Sequence, residues 1–372
     1  MKFIKKPYVY CIVYTIIIAL LSAFVLLDTF VIPRKYDNAD SKDFMTADNT
    51  FSFGTSRPIE DTVIGDTVTQ TESDVFTSID HTNSEIKTDL ESNAAPPEDT
   101  DTAASDQSTE PIVTAPPETD PPEPQFPVIK AETYQDDNIK ITFQTVRYCD
   151  TDVHFAHVEI SSAEYFKTAL AKDSFGTNIR EKTSSMAKRK GAILAINGDY
   201  YGANKKGYVI KNGTLYRDSI RSDDESDDLI VKYDGSFEII NENNVSAKEL
   251  LSQGVYQLFG FGPTLIYNGD IKVRAGDEVS VATSSNPRTA IGIVDSLHYV
   301  FLVSDGRTSN NKGLSLLQLA EFMHSQGCTT AYNLDGGGSS TMYFNGEIVN
   351  NPVASGSKTS ERLVSDIVYI GY

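Results

Sequence analysis

Residues 331–346, AYNLDGGGSSTMYFNG, run from an apolar stretch through Asp335 into three glycines and two serines. Gly336, Gly337 and Gly338 permit positive φ angles and close approach of a ligand, so their N–H groups could converge on an anion such as a phosphate. Ser339 and Ser340 could add hydroxyl donors. A plain glycine-rich turn is the alternative, but Asn333 and Asp335 at a strand end favour a site, because strand ends hold side chains rigidly beside loops. A second run, AINGDYYG at 195–202, places Asn197 and Asp199 two apart, on one face if the strand persists. Tyr200 and Tyr201 supply flat apolar surface on which a sugar ring could stack; an Asp-containing turn packed by two tyrosines is the competing reading. The third run, NPRTAIGIVDSLHYVFLVSDGR at 286–307, sets Arg288 before a strand pair and Arg307 after Asp305-Gly306 at its end. Each guanidinium could present a planar fork to a phosphate or carboxylate, or pair with a structural aspartate.

What is missing narrows the chemistry. The chain has no GxSxG elbow, Walker loop, HExxH or CxxC, the signatures of common serine hydrolases, nucleotide hydrolases and zinc sites. His154 and His157 lie three apart on an expected strand, so they point to opposite faces and would not chelate one metal. Asp223, Asp224, Glu225, Asp227 and Asp228 form an acidic loop without EF-hand spacing, best read as solvated. With no histidine in the three runs, acid-base work falls to carboxylates, the usual equipment of glycoside cleavage. No cofactor is required on this reading, although a divalent cation could bind.

Short alternating strands must position these residues. Ile139 to Arg147 and Asp152 to Ile160 read as strands, and Asn212-Gly213, Asn268-Gly269, Asn345-Gly346 and Asp234-Gly235 sit between alternating apolar runs as two-residue hairpin turns. Helices are expected over 178–190, 247–253 and 315–326. The last has Ser315 and Gln318 in capping-box register, an apolar face of Leu316, Leu319, Ala320 and Met323, and Gly327 as its stop. Helices interrupting hairpins without a βαβ rhythm predict an α+β body around a mixed, largely antiparallel sheet.

Formal charge is −20 and concentrated: residues 37–127 carry 21 acidic against 3 basic side chains and ten of the fifteen prolines, whereas 128–372 carry 30 against 24. A nucleic-acid partner is not expected. Residues 33–127 read as a disordered Pro/Thr/Ser-rich tether, whose acids either bind Ca²⁺ or a cationic wall polymer or simply solvate a spacer. Ahead of it, Tyr8 to Leu27 is an uncharged run of twenty residues, about 30 Å as a helix. With Lys2, Lys5 and Lys6 before it, residues 8–32 read as a single-pass signal anchor. A seven-residue stub then stays cytosolic and residues 128–372 lie outside the cell; a cleaved signal peptide is the alternative. Cys149 and Cys328 would then share an oxidising space, either bonded or as two free thiols.

INGDYY, GFGPTLIYNG, PRTAIGI, VSDGR, LLQLAEFMHSQG, NLDGGGSSTM and ERLVSDIVYI resemble, in content and order, the phosphodiester glycosidase family. The resemblance runs from about Ala192 to Tyr372 and excludes the anchor and the acidic tail. It implies hydrolysis between a sugar anomeric carbon and a phosphodiester, with a GlcNAc-type sugar on a surface glycan or teichoic-like polymer as substrate. On this resemblance Asn197, Asp199, Arg288, Asp305, Arg307, Asp335 and Gly336 to Ser340 fall on the family's recurring cleft positions. Asp335 and Asp199 would be nearest the anomeric carbon, while Arg288 and the glycine-serine loop would hold the phosphate. The chain departs from the family pattern at Asn286, where many relatives carry histidine, and at Asp199-Tyr200. A non-catalytic module binding phosphorylated wall glycan or an assembly partner is the alternative, and a serine hydrolase using Ser339 or Ser340 a third.

Overall fold

A computed structural model describes residues 7–36, 51–56, 126–221, 227–277, 285–354 and 359–372. Chain contacts separate residues 1–60 with 124–372 from residues 61–123. The latter, most of the expected tether, lie outside the described residues, as do Asp223, Asp224 and Glu225 of the acidic loop.

The body is a layered sandwich. Its larger sheet has eight strands, in spatial order Asp270–Ile271, Thr264–Tyr267, Thr330–Asn333, Arg288–Asp295, His298–Ser304, Thr151–Ile160, Ile139–Tyr148 and Val128–Gln135. The second has five: Glu347–Ile348, Met342–Phe344, Leu194–Asn197, Asp366–Ile370 and Phe166–Leu170. Three further strands, Phe237–Asn241, Asp227–Lys232 and Val255–Phe259, close one side. Every strand ladder among the described residues is antiparallel, so the sheets are not mixed; the one parallel contact is an isolated bridge, Val353 to Ser360.

Alternation explains the layers. In 288–295 and 298–304, Ile291, Ile293, Phe301 and Val303 point between the sheets, where they meet Ile196, Phe344 and Val368. Ala290, Val300 and Leu302 point outward, under Leu316, Leu319 and Met323. Both faces are covered, which is why these strands read as continuous apolar runs. Helix α4, Leu316–Ser325, covers the large sheet and carries the expected capping box, with Ser315 and Gln318 bonded reciprocally. Helix α2, Thr183–Lys190, covers the small sheet through Met186 and Ala187. It starts five residues later than the sequence predicts, because Asn178 is left-handed and Glu181–Lys182 pair as a strand with Leu363–Val364. Helix α3, Ala247–Ser252, caps a satellite cluster. Three of the four hairpin turns form as expected, whereas Asp234-Gly235 sits in a four-residue connection between 227–232 and 237–241.

Helix α1, Pro7–Phe30, has the length and apolarity to cross a membrane, and its described side chains from 10 to 27 are exposed; a signal sequence has the same features. Two stretches of the segment read as tether lie against the body. Arg34–Lys35 pair with Gly176–Thr177. Phe51 stacks on Tyr233, Phe53 meets Tyr256 edge-on, and the Gly54 N–H donates to the Tyr233 carbonyl at 2.8 Å. The acidic composition of the surroundings hides these aromatic residues from a reading by composition. Cys149 is exposed beyond a strand end while Cys328 is buried beside Gly292 and Met323; both are free thiols.

Candidate active site

The site forms where 194–197 and 330–333 end and 288–295 begins. Asn197, fully buried, is its bracket: Nδ2 donates to the Asp335 carbonyl at 2.6 Å, and Oδ1 accepts from the Thr289 hydroxyl at 3.0 Å and the Thr341 N–H at 3.2 Å. The Thr289 hydroxyl also meets that of Ser340 at 3.1 Å. Asp335 donates its N–H to the Gly198 carbonyl at 3.2 Å, so the AINGDYYG and NLDGGGSS runs are joined directly. Asn197 therefore positions the loop. Thr289 was not singled out in the sequence because a threonine inside an apolar strand carries no signal of its own.

Asp335 is the carboxyl of this arrangement. Burial pushes it up to about 6, a neighbouring negative charge on Asp199 adds to the shift, and the Ser339 hydroxyl and the Arg362 guanidinium partly offset it. A buried carboxyl that titrates near neutrality, beside cations, is equipped to exchange a proton with substrate or water.

Two glycines of the loop are fixed by arginines. Gly337 has φ +60°, and a Cβ there would sit 2.8 Å from the Arg307 guanidinium; a Cβ on Gly338 would sit 2.6 Å from that of Arg362. Arg307 is oriented by Asn286, whose Oδ1 accepts from Nε at 3.2 Å and Nη2 at 3.0 Å. Burial and the nearby positive charge of Arg362 both push Arg307 below its ordinary value. Among the described residues neither arginine has a carboxylate within ion-pair distance. Two adjacent, uncompensated guanidiniums flanking a backbone loop favour a dianionic or monoanionic group between them. Arg362 was missed in the sequence, although it lies within the ERLVSDIVYI run.

The geometry corrects several expectations. The N–H groups of Gly337, Ser339 and Ser340 bond to Pro287, Gly336 and Gly337 carbonyls, and that of Gly336 faces the Asp335 carboxyl. Four of the five loop N–H groups are thus taken up within the protein. Arg288 lies on the opposite face of its strand from Thr289 and donates its Nε to the Leu314 carbonyl at 2.9 Å, as side-chain alternation requires. The arginines that lie against the glycine loop are consequently Arg307 and Arg362. Asp199 does not share a strand face with Asn197, because the strand stops at Asn197 and Tyr200 is left-handed. Its carboxylate is bonded to Lys211 Nζ at 3.0 Å and to the N–H groups of Gly260 and Tyr201. Tyr201 is buried against Phe175, ring centroids 5.6 Å apart, whereas Tyr200 is half-buried.

Asp305 is buried as well. It accepts from the Asn351 N–H and Nδ2, each at 2.9 Å, with His154 Nε2 3.6 Å away. Burial raises this carboxyl, but the bonds from His154 and Asn351 outweigh it and hold it below the usual carboxylate range. Through Asn350, which donates to the Ser340 carbonyl at 3.1 Å, Asp305 supports the loop from behind. His154 is occupied by Thr145 and Asp305, and His157 pairs with His298 on the other face, so neither serine has a histidine beside it. Among the described residues no group of three or more His, Cys, Asp or Glu is placed to hold a metal ion.

Two strand ends thus bring together a buried carboxyl, Asp335, pushed up to about 6, and two arginines without a carboxylate in ion-pair distance among the described residues. The family resemblance holds: residues 190–371 match the model described as phosphodiester glycosidase, a family of glycosidase-type hydrolases. The SPbeta prophage-derived uncharacterized protein YomE of Bacillus subtilis (strain 168) is 34% identical over 203 residues, 53% of this chain and 31% of its own length. N-acetylglucosamine-1-phosphodiester alpha-N-acetylglucosaminidase of Mus musculus is 26% identical over 190 residues, 46% of this chain and 36% of its length. The chain thus spans about a third of these curated relatives. In fold it matches the zebrafish N-acetylglucosamine-1-phosphodiester alpha-N-acetylglucosaminidase catalytic domain, solved auto-inhibited by its pro-peptide, with TM-score 0.51 and 21% identity over 66% of this chain and 89% of that one. Strands 128–170 lie outside the family match yet complete both sheets, so the folded body is larger than the matched segment.

Proposed function

We propose that this chain is a membrane-anchored, extracytoplasmic phosphodiester glycosidase that hydrolyses a GlcNAc-type sugar-1-phosphodiester in a surface glycan or teichoic-like polymer. The observation that carries it is Asp335, buried and titrating near 6, beside the uncompensated Arg307 and Arg362. In the reaction the bond between anomeric carbon and phosphate oxygen breaks with its electrons passing to the phosphate. Water adds to the carbon, and its proton passes to the ionised Asp335 and then to the phosphomonoester or solvent. The arginines neutralise the charge that grows on the departing phosphate, an electrostatic contribution of several kcal/mol in a dry site. One carboxylate suffices because a phosphate leaves without protonation, which agrees with Asp199 being committed to Lys211. The anchor reading of α1, with the amino terminus cytosolic, rests on its length, its apolarity and the three preceding lysines.

The test incubates the full chain in detergent with a GlcNAc-1-phosphodiester and separates free sugar from sugar phosphate. Free GlcNAc is the expected product. Sugar 1-phosphate would mean phosphorus–oxygen cleavage, and no turnover across several sugars would favour a binding module for phosphorylated wall glycan. Arg362→Ala and Arg307→Ala should each lower kcat/KM about 10–100-fold, the loss of one charge-assisted contact. Turnover of an uncharged aryl GlcNAc glycoside should change little in either variant; equal losses on both substrates would remove the arginines from the phosphate. Ser339→Ala should retain activity, and its inactivation would point instead to a serine nucleophile.

A further inference from the structure

The chain that leaves α1 does not hang free of the body. Within six residues of Phe30, Arg34 and Lys35 pair with Thr177 and Gly176, Asn178 Nδ2 donates to the Ile32 carbonyl at 3.3 Å, and the Tyr36 N–H donates to the Phe175 carbonyl at 3.1 Å. Five residues beyond Thr177, Lys182 pairs with Leu363, the neighbour of Arg362. At about 3.4 Å per residue and about 5 Å between strands, Arg362 lies no more than about 25 Å along the protein from the place where the anchor joins it.

The charge of that region is opposite to the rest. Residues 172–206 carry 8 Lys and Arg against 3 acids, whereas the remainder of 128–372 carries 16 against 27. Of the acids, Asp199 is buried on Lys211, and Asp173 and Glu181 are occupied by Arg189 and Lys190. Lys172, Lys182, Lys188, Lys205 and Lys206 are exposed and have no carboxylate within ion-pair distance among the described residues. Two contacts bring the stretches carrying them toward the paired segment: the Lys172 N–H donates to Glu181, and the Asn178 N–H to Gly202, three residues before Lys205.

We infer that this basic face rests on anionic lipid headgroups beside the exit of α1, so that the enzyme works at the membrane surface on sugar-1-phosphodiesters whose other substituent is a lipid. The inference builds on the proposed activity and anchor. Each cation held near an anionic surface adds attraction that fades within a Debye length, so the face and the anchor act together where neither a remote tether nor a neutral face would. Hydrolysis there releases the free sugar to solvent and leaves the lipid phosphomonoester in the bilayer.

The test reconstitutes the full chain in vesicles of phosphatidylcholine alone or with about one-third phosphatidylglycerol. Substrates are a soluble GlcNAc-1-phosphate methyl diester and the corresponding long-chain alkyl diester in the bilayer. Amine labelling read by mass spectrometry should find Lys188, Lys205 and Lys206 protected several-fold in the anionic vesicles relative to Lys272, with protection lost in high salt. The triple variant Lys188→Glu, Lys205→Glu, Lys206→Glu should cleave the soluble diester as before and the alkyl diester in anionic vesicles about tenfold more slowly. Equal labelling in both vesicles, or equal alkyl-diester rates for the two proteins, would overturn the inference while soluble turnover kept the glycosidase reading intact. Protection without any turnover of either substrate would instead overturn the activity and leave the membrane contact standing.

Discussion

Asp335→Asn is expected to abolish sugar release, by about a thousandfold or more, while making the protein more stable at pH 8. The loss is that of a proton-transferring group, worth roughly 10²–10⁴ in rate. The gain follows from linkage. The folded carboxyl titrates near 6, above its value in an unfolded chain of roughly 3.9, so the native state binds more protons between those values. Stability therefore falls as pH rises from about 4 through about 6 and stays low above. Holding the carboxyl that far above its unfolded value costs at most about 3 kcal/mol once it ionises, and an uncharged amide of the same shape removes that cost. The variant should thus gain about 1–3 kcal/mol at pH 8 and almost nothing at pH 4. Denaturant melts at the two pH values measure this, with product analysis on the same samples. Because the ionised form does the work, wild-type kcat/KM should rise with pH through about 6. A variant that is inactive and also destabilised at pH 8 would mean that Asp335 is a structural contact.

Lys211→Met should be among the most destabilising single changes in the body, costing about 3–5 kcal/mol. Lys211 is fully buried, its Nζ 3.0 Å from Asp199 Oδ2, 3.1 Å from Asp366 Oδ2 and 4.2 Å from the centre of the Phe259 ring. Burial alone would push the ammonium down, and the two carboxylates reverse this and raise it. Asp366 is pushed up to about 7 by burial, which Lys211 opposes and Asp199 augments. Removing the cation strands two like charges in a dry interior, and one of them is the scaffold under Gly198 and the carbonyl that Asp335 binds. Urea melts at pH 7.5 and 5.5 separate the causes. The deficit should shrink at the lower pH, where Asp366 is protonated, and in the double variant Lys211→Met, Asp366→Asn, which removes one of the two stranded carboxylates. A deficit of under about 1 kcal/mol, equal at both pH values, would indicate that the cluster holds no uncompensated charge.

Position along the chain hides some roles and reveals others. Asp335, the glycines and Arg307 are legible because glycine runs and charged residues at strand ends depart from what a buried sheet would use. Arg362 and Thr289 are not, since their importance comes from meeting segments that are 24 and 51 residues away at Gly338 and Ser340. Asp199 and Arg288 have the right residue type and lie beside the right motif, yet contacts at Lys211 and Leu314 turn them inward.

The sequence alone determined the family resemblance, the strand and hairpin texture, the capping of α4 and the apolar amino-terminal helix, because each is written in local spacing, turn chemistry or composition. Only the tertiary structure decided that Asp335 and Asp366 are carboxyls raised by burial, that Arg307 and Arg362 lack a carboxylate in ion-pair distance among the described residues, and that residues 34–35, just after α1, pair with the body. Burial and charge pairing are sums over segments that are distant in the chain, and no local pattern contains them.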